Sequence, residues 1–228
     1  MPNPNNRTRL SYALIVEAAI EIADAGGLDA LTMRSLADEL GVGAMSLYRY
    51  VDDKGMLIQA MTLEITRRHP YPRISETPWY QRVLTAVEID WALYNRHQWL
   101  VLALASPRTA ASPESEQSLA WLASAFVEAG TTPPVARATS ATVWNLVAGT
   151  ALTVVAENLV ESPDCRHRIR QERWDSAREL LDIGIEIICV GAKAPHQSGV
   201  RLIDIGPTNP RRAGSEFPFN THELLNLT

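Results

Sequence analysis

Cysteine is scarce in this chain of 228 residues: only Cys165 and Cys189 occur, far apart and without a Cys-x-x-Cys pair. That excludes a disulfide framework and a thiolate metal site, and it fits a reducing compartment. Positive charge is also short. Twenty-one Lys and Arg stand against 26 Asp and Glu, a net charge of −5, which argues mildly against a polyanionic partner and leaves any such binding to the placement of a few cations. No apolar run approaches the roughly 18 residues of a membrane helix, so no membrane partner is expected. The opening MPNPNNRTRL leads into no apolar leader segment, and the expected location is the cytoplasm. Phosphate-cradling glycine loops, a GxSxG elbow and an HExxH pair are missing, and the five histidines are scattered. The expectation is therefore no enzyme, no cofactor and no metal.

Strand alternation is missing too, and what is present is helical periodicity. Ile15, Ala18, Ala19, Ile22 and Ala23 keep the spacing of one buried stripe, predicting a helix from Ser11 to about Ala25 that Gly26-Gly27 ends. Thr32 is a natural cap for a short second helix that buries Leu36, Ala37 and Leu40, and Gly41 supplies the left-handed residue that stops it. A third short helix is predicted over 44–50, then a fourth over 53–69 capped by Asp52 and ended by Pro70 and Pro72. Longer helical patterns follow over 78–105, 114–129, 134–159 and 166–193, separated by loops containing Pro or Gly. The fold class is all-α. The expected division is an N-terminal arm and helix-turn-helix domain over 1–52, a connecting helix over 53–72, a helical bundle for ligand binding and dimerisation over 73–194, and a flexible tail over 195–228.

Two short helices joined by a tight glycine-containing turn, with the first packed on an amphipathic helix, form the geometry that sets a second helix in the DNA major groove. The string LTMRSLADELGVGAMSLYRYVDDKGMLIQAM, residues 31–61, resembles the N-terminal domain of the TetR family of repressors. The likeness rests on Thr32 and Arg34, on Leu36-Ala37 and Leu40-Gly41-Val42, on Ser46-Leu47-Tyr48 with Tyr50, and on Lys54. It implies a transcriptional regulator, a repressor by family default, with double-stranded operator DNA as partner. Position alone brings Gly43, Ala44, Met45 and Ser46 nearest the base edges. The resemblance implies a guanine-reading role for Arg34, and phosphate contacts for Tyr48, Tyr50 and Lys54. Thr32 and Arg49 are further candidates at the backbone, with Arg7 and Arg9 in an arm ahead of the first helix. Charge works against this reading: from Arg7 to Lys54 there are five basic residues and eight acids. The alternative is a helical ligand-binding protein whose head no longer reads DNA.

One helix-turn-helix reads only a few base pairs, so a homodimer is expected. Val143, Val147, Thr150 and Val154 form one stripe, and Ile183, Gly184, Ile187 and Gly191 another; they are read as the pair of helices that meets a second copy, as in TetR proteins. The bland alternative is burial within one subunit. The segment LIQAMTLEITRRH resembles the fourth helix of tetracycline repressors, which implies a ligand-contacting role for His69. Trp91, Tyr94, His97, Trp121, Trp144 and Asn145 complete the candidate pocket for a small hydrophobic or aromatic effector. Aromatics at helical spacing also serve as plain core, and that reading stays open.

Overall fold

Ser11 opens the first helix by accepting the Leu14 N–H at 3.2 Å, a side-chain cap for a backbone donor that otherwise lacks a partner. In the computed structural model, which describes residues 10–73, 77–106, 112–160 and 166–193, every regular element is helical. Among those residues there are nine helices: α1 (Tyr12–Ala30), α2 (Met33–Glu39), α3 (Ala44–Leu47), α4 (Lys54–Arg68), α5 (Trp79–Arg96), α6 (Gln98–Leu104), α7 (Pro113–Glu128), α8 (Pro133–Val160) and α9 (Arg166–Lys193). Arg7, Arg9, Cys165 and the expected tail from Pro195 lie outside the described residues.

The predicted stripe of α1 is buried at Ile15, Ala18, Ala19 and Ala23 and partly buried at Ile22, and Gly27 breaks the helix with φ of +73°. Thr32 caps α2 in a reciprocal box. Its hydroxyl accepts the Ser35 N–H at 2.9 Å, and the Ser35 hydroxyl accepts the Thr32 N–H at 2.9 Å, so two donors of the first turn are satisfied together. Gly41 takes φ of +62° in the turn to α3, which a side chain resists. Three expectations are corrected. The cap of α4 is Asp53, not Asp52, because Asp53 Oδ1 accepts the Met56 N–H at 2.7 Å. The α3 helix ends at Leu47 and continues as turn to Tyr50. The expected helix over 78–105 is two helices, broken at His97, whose φ of −114° and ψ of 71° leave the helical region.

In the N-terminal part, Ile15, Leu36, Leu47, Val51 and Leu57 form a continuous core that seats α2 and α3 on α1 and α4. Each such side chain stabilises by about 1.5–3 kcal/mol when fully buried. Beyond it, α8 is the central helix, packed by α7, α9 and α5. Its stretch Pro133–Glu157 is, by length and hydropathy, long and apolar enough to cross a membrane, which corrects the sequence reading. Here Val143, Val147, Ala151 and Val154 place one side of it in the protein core.

Gly41→Ala is expected to cost about 1–2 kcal/mol through backbone strain alone, since nothing lies within 4 Å of the added Cβ. Urea denaturation should show the midpoint fall at unchanged slope; an unaltered midpoint would mean that the turn readily re-forms without glycine.

Candidate nucleic-acid interface and cavity

The turn at Gly41 leaves the start of α3 at the surface. Met45 is 79% exposed, Gly43 is exposed, and Ala44 and Ser46 are half-buried, while Leu47 points into the core. Arg34, on the first turn of α2, is exposed, as are Tyr48 and Arg49. Two expected phosphate contacts have partners within the chain. The Tyr50 hydroxyl donates to the Leu10 carbonyl at 2.9 Å, and the Lys54 ammonium donates to the Leu28 carbonyl at 2.6 Å. Lys54 therefore ties the start of α4 to the carbonyl that follows the Gly27 break, with two further N–H donors on its ammonium. Thr32 has its hydroxyl engaged in the α2 cap.

Behind this surface, α1 is joined to the α5–α6 break. Asp24 receives His97 Nδ1 at 2.8 Å and the Trp99 indole N–H at 2.7 Å. A carboxylate only accepts, so His97 carries its proton on Nδ1. The Glu17–Arg68 ion pair bridges α1 to the end of α4, and the hydrogen bond from Arg68 holds the Glu17 carboxyl below its usual range. His97 is thus a structural joint, and it is not among the residues that line the cavity.

A cavity of about 230 Å³ lies among the end of α4, α5, α6, α7 and α8. His69, Tyr94, Trp144 and Asn145 line it, together with Leu93, Leu100, Leu119 and Leu122. Trp91 and Trp121 do not. Trp91 packs edge-on against Trp174 at 4.7 Å between ring centres, deep in the core. Trp121 packs on the Tyr71 ring at 4.9 Å and donates its N–H to the Pro72 carbonyl at 2.8 Å. Sequence reasoning missed Tyr71 and Asp90, both on the cavity wall. The Tyr71 hydroxyl donates to Asp90 Oδ2 at 2.8 Å. Burial pushes the Asp90 carboxyl up to about 7, against the lowering effect of that bond, and burial raises the Tyr71 and Tyr94 hydroxyls as well. The signal was present: Val83, Ala86, Val87, Asp90, Trp91 and Tyr94 keep the i, i+3, i+4, i+7, i+8, i+11 spacing, so an acid stands on the inward stripe. Among the described residues no three His, Cys, Asp or Glu side chains gather as a metal site.

The expected second-copy face divides in two. Val143, Val147 and Val154 are at most 3% exposed, inside their own protomer. Gly184 packs against Leu146 of α8, where an added Cβ would come within 2.9 Å. These four belong to the chain's own core and helix pairing. Thr150 is half-buried with its hydroxyl on the Leu146 carbonyl. Ile183 and Ile187 are exposed, with Leu180 and Val190 beside them, all between 56% and 71%, and Gly191 lies at the surface.

Because folding raises the Asp90 pKa from 3.8 to about 7, the folded state holds the proton more tightly. Stability should fall as pH rises from about 4 to 7 and level off above. Asp90→Asn removes that penalty and is expected to melt several degrees above wild type at pH 8 and near it at pH 4, each kcal/mol being roughly 2–4 °C in a domain of this size. A difference independent of pH, measured by thermal melts across that range, would contradict the burial argument.

Residues 15–61 match the family model for bacterial regulatory proteins of the tetR family. The chain is 41% identical over 101 residues to the HTH-type transcriptional repressor DrrR1 of Streptomyces coeruleorubidus. That match covers 44% of this chain and 37% of the relative, so the chain spans little more than a third of that relative's length. It is 30% identical over 165 residues to an HTH-type transcriptional regulator of Saccharopolyspora erythraea, covering 72% of this chain and 68% of the other. The fold is similar to that of a TetR variant from Acinetobacter baumannii AYE in complex with minocycline, with TM-score 0.66 and 19% identity over 80% of this chain and 96% of that one. With its helix-turn-helix core in place and a relative matched over two thirds of both chains, this chain belongs to the TetR family of bacterial regulatory proteins.

Proposed function

We propose that this chain is a DNA-binding transcriptional repressor that binds a palindromic operator as a homodimer and is released by a small hydrophobic or aromatic ligand. The observation that carries the reading is the α2–turn–α3 unit. Its buried side is locked on α1 and α4, while Gly43 to Ser46 stand at the free start of α3 beside Arg34. A short helix so placed can lie in the major groove with its first residues at base edges. Met45 and Ala44 suit apolar contact with thymine methyls, Ser46 a hydroxyl contact, and Arg34 a bidentate guanine contact. Tyr48 and Arg49, with the remaining donors of Lys54, suit the phosphates.

The proposed division is a head over 1–52, a connecting helix over 53–72 and an effector and dimer bundle over 73–194. The dimer reading is supported by the uncovered apolar stripe of α9 beside the α8–α9 groove, which a soluble chain leaves exposed at a cost unless a partner covers it. The effector reading is supported by the cavity, and by the ligand bound in the fold neighbour. The mechanism is population shift: a ligand that favours one spacing of the two heads disfavours the spacing that fits successive major grooves, and DNA and ligand weaken each other reciprocally.

Selection of genomic fragments with the purified chain is expected to return a palindrome. Arg34→Ala should then relax base preference at one position in each half-site, losing about 1–3 kcal/mol, whereas Arg49→Ala should weaken all duplexes evenly and lower the salt slope by about 1. Equal weak binding of every duplex would instead favour a ligand-binding protein whose head has lost its DNA role. Ile187→Asp should halve the mass found by sedimentation; an unchanged mass would remove α9 as the dimer face.

A further inference from the structure

Asp90 sits in a wall otherwise built for apolar matter. It occupies the inward stripe of α5, with Leu93, Leu100, Leu119 and Leu122 around the same cavity. Its bond there comes from a neutral donor, the Tyr71 hydroxyl at 2.8 Å. That donor is itself fixed: Trp121 packs on the Tyr71 ring and is anchored through its N–H to the Pro72 carbonyl. The carboxylate is therefore held in one orientation by a chain of contacts.

Among the described residues, no lysine or arginine lines the cavity. The other acid on the wall, Glu116, is paired with Arg137 at 2.6 Å. His69, at the end of α4, turns its Nδ1 toward its own helix, 3.0 Å from the Ile65 carbonyl. Tyr94 adds a neutral hydroxyl. Among the described charged and titratable groups facing Asp90, from α4, the following loop, α5 and α7, none is a fixed cation. A buried carboxylate without a counter-charge is costly, and an opposite charge supplied from outside removes the cost.

We propose that the cavity takes a flat aromatic ligand bearing a protonated amine, with Asp90 receiving the ammonium and the Tyr94 and Trp144 rings lying against its aromatic part. The assignment rests on the effector reading of this cavity and narrows its chemical class. Charge pairing away from water discriminates sharply: a neutral isostere forgoes the ionic hydrogen bond, and an anion meets Asp90 with like charge. Since burial has pushed the Asp90 carboxyl up to about 7, arrival of the ammonium also drives its proton off, so affinity for the cation falls as pH drops below that value.

The test uses the full chain and three probes of one shape: 2-naphthylmethylammonium, 2-naphthalenemethanol and 2-naphthylacetate, titrated calorimetrically at pH 8 and pH 6. The ammonium is expected to bind at least about tenfold tighter than the alcohol at pH 8, and the carboxylate most weakly. The preference should shrink at pH 6 in wild type and in His69→Gln, which replaces the imidazole on the wall with a neutral amide. Asp90→Asn should abolish it while leaving the alcohol within about twofold. Equal binding of ammonium and alcohol, or a preference that survives Asp90→Asn, overturns the amine assignment and leaves the cavity a ligand site. Binding of none of the three overturns the effector reading and this inference with it, and leaves the operator selection to judge the DNA-binding reading separately.

Discussion

The Asp24 carboxylate joins the first helix to the break between α5 and α6, and much of the remaining geometry depends on that contact. It accepts from a histidine at the break and from a tryptophan one residue into α6. That places α6 against α1 on one side, while Leu100 and Leu104 face the cavity on the other. This seven-residue helix, bounded by a non-helical His97, packs on α1, α4, α5 and α8 and buries Trp99, Leu100, Val101 and Ala103. Asp24 ties its start to α1, and Leu100 and Leu104 line the cavity along its length.

The two acids contrast in instructive ways. Asp24 is satisfied by two donors and fastens helices together. Asp90 has a phenol as its neighbour and stays close to the point of taking up a proton. One carboxylate is structural because its surroundings complete it, and the other stands ready for an incoming group because they do not.

Local rules made much of this legible in the sequence. Thr32 as a cap, Gly41 at positive φ and the α1 stripe each depend on residues within one or two turns, and each stands where the sequence placed it. The single-residue slip from Asp52 to Asp53 reflects two adjacent acids of equal capping strength. The break at His97 was invisible because apolar residues continue through it in helical register, and what stabilises it is an acid 73 positions earlier. The cavity was only half legible: Trp91 and Trp121 have the right chemistry, but their neighbours turn them into core and prop. On α8, apolar residues occur on every side, so periodicity did not say which of them meet the chain's own core. Val143, Val147 and Val154 do. On α9, acids alternate with isoleucines, and Ile183 and Ile187 remain uncovered.

The acidity of the head has a further consequence. Asp38, Glu39, Asp52 and Asp53 are exposed around the α2–α3 unit, while among the described residues Arg34 and Arg49 are the exposed cations there. A head so charged gains little from random duplex, whose attraction is almost wholly a matter of counterion release. On the DNA-binding reading, such a protein spends little time parked on the rest of the chromosome. Its occupancy of an operator is then governed less by the crowd of competing sites than by how many copies the cell makes, a way to regulate tightly from a small pool.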